Sequence, residues 1–285
     1  MRVWLAAGWK MEAQAETEDS RRTHSVVVFY LLAFVFSWLG WLPQALHARG
    51  LFPFDSPLFS LLGGCGPTLA AVVTLLFFRQ KHQIPALFSA LFRVRASAGW
   101  YFFVAGFWFV AVALALAGMG IAGLPLPALS SLGWLSLIPV FVTMVISNVW
   151  EEIGWRGFAL PRLQEKFSDL QTALVMGLLW SVWHLPLMLN PQSPMASLPW
   201  YGEVLFSLSL TVIYIWLYRQ TGASLFFVTV FHAMSNTAAF VLLELGVFVS
   251  SYPFVVGITT VFAVGIILGF GTKQFSRAAV GQAGR

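Results

Sequence analysis

The chain has 285 residues, of which 59% are apolar and 9% charged, whereas an average soluble domain is about 25% charged, so a soluble domain of any size is excluded and a polytopic membrane protein remains. The single cysteine, Cys65, excludes an internal disulfide, and without any CxxC spacing thiol redox chemistry and thiolate metal sites fall away. The net charge of +5 is spread over loops rather than gathered in one patch, which argues against nucleic acid as a partner.

Residues 1–23 are polar and mixed in charge, and their one apolar piece, VWLAAGW, is too short to span a bilayer or to form a signal core. They are expected to form a short, mobile cytoplasmic tail. Arg21 and Arg22 then precede the first run of about 20 apolar residues, 25–46, an uncleaved helix. Seven more runs follow, at 58–78, 100–121, 132–158, 170–189, 204–218, 224–247 and 254–270. The expected fold is therefore an all-α bundle of eight transmembrane helices over 24–270, followed by a basic cytoplasmic tail at 271–285. Prolines 125, 127, 191, 194 and 199 mark loop breaks between runs.

Charge placement supports that count. Fifteen of the 16 Lys and Arg residues fall in alternate tails and inter-span segments, counting Arg156 at the adjoining end of the fourth run, and the positive-inside rule puts those segments and both termini in the cytoplasm. The basic stretch 79–95 includes ALFSALF, which could lie on the anionic leaflet as an interfacial helix, but topogenic charge is the simpler reading. Cys65 in GGCGPTLAAVV is read as a small packing residue.

The fourth run ends in WEEIGWR, 150–156, two adjacent carboxylates and an arginine at the end of an otherwise uncharged stretch. On one helix Glu152 and Arg156 are four apart and can pair. Glu151 points about 100° away, without a same-helix partner four residues on. An ionisable group within a span costs about 2.5–3.5 kcal/mol even on the lenient insertion scale, so it faces protein or a hydrated cavity. The fifth run carries WSVWH, with Trp180 and His184 on one face, and the seventh HAMSN, with His232 and Asn236 on one face. Counted from the cytoplasmic ends at about 1.5 Å per residue, Glu151 lies roughly 12 Å deep, His232 about 15 Å and His184 about 21 Å, a spread that helix tilt can close. Together these spans offer a base, two imidazoles and an amide donor around one polar intramembrane cavity. The other polar groups have plainer readings: His47 and His82 solvated in loops, Glu203 and Glu244 exposed at the extracytoplasmic interface, and Trp150, Trp155, Trp180 and Trp183 as packing aromatics.

The ordered set EExxxR, an aromatic four residues before a His, and HxxxN resembles the CAAX protease and bacteriocin-processing family (CPBP or Abi) of intramembrane proteases. The resemblance covers about 58–247, and Gly66-Pro67 looks like that family's Gly-Pro; Trp180 stands where the family usually has Phe. It implies an intramembrane endopeptidase acting on a membrane-anchored protein or peptide, in a multi-pass protein of the bacterial plasma membrane. By resemblance Glu151 activates water, His184 helps bind that water and shuttle its proton, and His232 and Asn236 hold the oxyanion. Glu152, Arg156 and Trp180 support them from behind, although Arg156 could also meet a substrate carboxylate. No cofactor is required on this reading. Zinc is the possible one, with Glu151, His184 and His232 as ligands, because the family is commonly labelled metalloprotease; HExxH is absent and the metal-independent route is preferred. The competing reading is non-enzymatic, a multipass transporter or a bacteriocin-immunity-type scaffold using the same polar residues as a proton relay or as glue between helices.

Overall fold

The computed structural model describes residues 2–275, and the side chains from Thr23 onward except that of Ser131. Among the described residues there is no strand, and eight helical segments are long and apolar enough to cross a membrane. The principal helices are α1 (Arg2–His47), α2 (Pro57–Phe77), α3 (Ile84–Ser89), α4 (Ala98–Ile121), α5 (Leu137–Glu152), α6 (Leu160–Gln164), α7 (Asp169–Trp183), α8 (Leu185–Leu189), α9 (Trp200–Gln220), α10 (Leu225–Glu244) and α11 (Phe248–Phe270). A π-helical turn, Ile153–Ala159, joins α5 to α6, so the fourth membrane segment runs continuously over Trp134–Gln164.

Three boundaries differ from expectation for one reason: apolar content marks where a helix is in lipid, not where it stops. Helix α1 continues through the segment expected to be a loose tail, where MEAQAETEDSRR is rich in good helix formers; its span of membrane composition is Thr23–His47. Helix α9 begins at Trp200 and takes in Glu203, and α11 begins at Phe248, upstream of Pro253. The ends that do stop are capped. Ser168 and Gln171 form a reciprocal capping box at the start of α7, and Ser56 with Pro57 opens α2.

Close approach is built from small residues, as expected where lipid removes a hydrophobic drive between helices. A Cβ on Gly63 would fall 2.0 Å from Trp41 Nε1, and one on Gly66 2.0 Å from Ser37 Oγ, so α1 and α2 meet backbone to side chain. Gly154 in the π turn does the same against Pro67, whose atoms would lie 2.5 Å from an added Cβ. Helix α5 thus sits between α2 and α10, while α9 sits between α7 and α11.

The basic stretch is more than topogenic charge. Residues 81–92 fold as a 3₁₀ turn, α3 and a second 3₁₀ turn, and bury Leu87 and Ala90, with Leu87 against the π turn. Of the expected C-terminal tail, residues 276–285 lie outside the described residues, whereas 271–275 dock onto the start of α7. There Asp169 ion-pairs with Arg219 at 2.5 Å and accepts from the Phe275 amide at 2.7 Å, and Phe275 is buried.

Candidate active site

The end of α5 presents its two acids in different directions. Glu152 is fully buried, and its Oε1 accepts from Arg156 Nη1 at 3.0 Å, the pair expected from the four-residue spacing. The Arg156 guanidinium, 1% exposed, lies 4.1 Å from the Tyr214 ring centroid and 4.8 Å from that of Trp180, which shields the cation between aromatic faces. Glu151 turns away into a cavity, and its Oε2 has no protein partner. The widened winding after Glu152 belongs to a class of helical irregularity that is frequent at functional sites.

Helix α10 supplies the facing wall. His232 Nδ1 is 2.8 Å from the same Glu152 Oε1 that holds Arg156, so one buried carboxylate oxygen ties α5 to α10 and fixes the imidazole. Asn236 Nδ2 donates to Asn148 Oδ1 at 3.1 Å, orienting its amide. Trp180 from α7 wedges between the imidazoles, with its centroid 5.5 Å from His232 and 5.2 Å from His184. His184 caps the C-terminal end of α7, where Pro186 starts the short α8.

Glu151, His184, His232 and Asn236, from three spans, all line one cavity of about 230 Å³. The rest of the lining is largely apolar, including Trp41, Trp108, Leu198, Phe206, Leu242 and Phe248. Met195, Leu198 and Phe248 come from the end of the bundle opposite the basic segments. The cavity therefore extends toward the end of the bundle opposite the basic segments.

Sequence reasoning missed two polar residues here. Glu203, expected at an exposed interface, is 3% exposed and lines the cavity, with its Oε1 3.2 Å from His184 Nδ1. Its signal is Ser207 four residues on, whose Oγ donates to that oxygen at 2.7 Å; an acid with a same-face hydroxyl inside an apolar run has an internal partner and need not reach water. Asn148 is the other, three residues before Glu151 on the same helix face. Glu244 is exposed, as expected.

The described side chains do not form a zinc site: among the described residues no group of three or more His, Cys, Asp and Glu side chains is placed to hold a metal ion.

Fold and site together define a multi-pass α-helical membrane protein with ionisable side chains around an intramembrane cavity. Comparison with known families sharpens this: residues 133–238, which contain all four cavity residues named from the motifs, match the family described as type II CAAX prenyl endopeptidase Rce1-like. The chain is also 30% identical over 105 residues, 35% of its length, to CAAX prenyl protease 2 of Methanococcus maripaludis. That alignment covers 39% of the relative. Residues 133–238 are thus similar to the Rce1-like family, and the chain's resemblance to the CAAX protease and bacteriocin-processing family is supported by both matches.

Proposed function

We propose that the chain is an intramembrane endopeptidase that hydrolyses a peptide bond of a membrane-associated protein or peptide with a water activated by Glu151. The observation that carries this reading is the cavity itself: a carboxylate with one oxygen free of protein partners shares it with two imidazoles and an amide. Amide hydrolysis needs a nucleophilic water, a proton for the leaving nitrogen and donors for the oxyanion. Glu151 takes the proton of the attacking water, with His184 binding that water and helping to pass the proton to the departing amine. Asn236 gives one amide hydrogen to Asn148 and keeps the other for the oxyanion. His232, with Nδ1 turned to Glu152, donates from Nε2 only as the doubly protonated imidazolium. The apolar remainder of the cavity suits a substrate segment that arrives from lipid.

The test is cleavage of a broad peptide library by the purified protein in detergent, beside Glu151→Ala, His184→Ala and His232→Ala. Wild-type cleavage lost in all three variants supports the reading, and cleavage insensitive to zinc chelators supports the glutamate-activated water. A wild type that cleaves nothing, or variants that match it, overturns the peptidase reading in favour of a non-enzymatic role for the same residues.

A further inference from the structure

Glu203 is a buried carboxylate in a membrane-spanning helix that the mechanism above does not use. A side chain so placed is costly unless partnered. The other fully buried acids have arginines: Glu152 has Arg156 and Asp169 has Arg219. Among the described residues Glu203 has none, and its ion-pair partner is His184, with Nδ1 3.2 Å from Oε1. Ser207 Oγ holds that oxygen at 2.7 Å, and Tyr252 of α11 stands beside the same carboxylate.

His184 needs such a tie. It lies at the end of α7, where the chain leaves the helix. Its ring is flanked by Trp180 and Trp183 at centroid distances of 5.2 and 5.0 Å, which set its plane but offer no polar anchor for Nδ1. Among the described residues the Nδ1 atom has no well-aligned hydrogen bond, and the 3.2 Å approach to Glu203 is its one polar contact. The acids that share the cavity with His184 are Glu203 from α9, in direct contact, and Glu151 from α5.

We propose that Glu203 is a positioning residue for His184: its carboxylate accepts the Nδ1 hydrogen, fixes the tautomer that leaves Nε2 unprotonated, and holds that nitrogen toward the water next to Glu151. This rests on the peptidase reading for its consequence, but not for its geometry. A carboxylate behind an imidazole acts through orientation and tautomer, without itself touching substrate.

Two variants test it in the full-length protein in detergent. Glu203→Leu fills the site without any acceptor, and Glu203→Gln keeps an acceptor oxygen without the charge. Removing one partner of a buried pair costs stability whatever that partner's role, so stability does not separate a structural role from a positioning one, whereas kcat and the ring tautomer do. A positioning role predicts that Glu203→Leu lowers kcat about 10- to 100-fold, part of the factor a positioned proton-transfer group supplies, with KM within about threefold, and that Glu203→Gln recovers part of the loss. The second readout is the nitrogen-15 spectrum of labelled histidines, with the His184 signal identified by its loss in His184→Asn. The expected result is an Nδ1-protonated ring in the wild type and a shift toward the other tautomer in Glu203→Leu. Wild-type kcat in a folded Glu203→Leu, or an unchanged tautomer, overturns the proposal. If the wild type cleaves nothing, the peptidase reading fails, while the spectrum alone still decides the Glu203–His184 pairing.

Discussion

Replacing Arg156 by Met tests whether the Glu152–Arg156 pair is the charge-balanced anchor that frees Glu151. Arg156 and Glu152 are 1% and 0% exposed and bonded at 3.0 Å, and the guanidinium also lies against two aromatic faces. Removing one partner of a buried pair costs about 3–5 kcal/mol, and the cation–π contacts account for up to about 2 kcal/mol of related stabilisation that is not additive with it. Arg156→Met should therefore lose about 3–5 kcal/mol, because Glu152 keeps only His232. At about 2–4 °C per kcal/mol, the thermal midpoint in detergent should fall by roughly 10 °C. Glu152→Gln leaves the opposite orphan, a guanidinium between rings. The double variant Glu152→Gln/Arg156→Met has neither charge and should be more stable than Arg156→Met alone, with a coupling of about 1–3 kcal/mol. The four proteins form a cycle measured by reversible unfolding in micelles. Single effects that add to within about 0.5 kcal/mol, or an Arg156→Met midpoint within 2 °C of wild type on the same ~2–4 °C scale, would refute the reasoning.

Gly154→Ala should destabilise by about 1–3 kcal/mol, because its Cβ would fall 2.5 Å from the Pro67 backbone, whereas Gly64→Ala, with nothing within 4 Å, should leave the midpoint unchanged. If Asn236 is an oxyanion donor, Asn236→Ala should lower kcat about 100- to 1,000-fold while leaving the fold intact by circular dichroism, and a loss confined to KM would contradict that role. If the basic end is cytoplasmic, a cysteine at exposed Ala196, in a chain whose only cysteine has been replaced by alanine, should react with an impermeant maleimide added to intact cells, and one at exposed Arg93 should react only after lysis; the reverse pattern would invert the topology.

The eight spans were legible because burial in lipid requires about 20 apolar residues in a row, a signal that survives in a single sequence. The separation of Glu151 from Glu152 was also legible, since adjacent residues on a helix diverge by about 100°, and it emerges as one acid in the cavity and one in an ion pair. The π turn was not, because nothing in IGWRGFA distinguishes a widened turn from an α-helical one. Glu203 was misread because hydropathy counts an acid near a span end as a boundary, whereas its partners, His184 and Ser207, lie on α7 and one turn along α9. The direction of the cavity depends on α8 to α11 packing their ends around Leu198 and Phe248, a tertiary property with no periodicity to betray it.

The two neighbouring acids explain each other. A carboxylate that activates water must keep an oxygen free, yet a free carboxylate in a membrane span is what a fold can least tolerate. Glu152 resolves the conflict on behalf of Glu151: it takes the arginine and His232 for itself, locks α5 to α10, and so fixes where the next residue points. On the proposed mechanism, an Arg156 paired with Glu151 instead would have occupied the oxygen that water needs. On this view the order of the two acids matters as much as their presence, because one turn of helix hands Arg156 to position 152 and leaves position 151 facing the cavity.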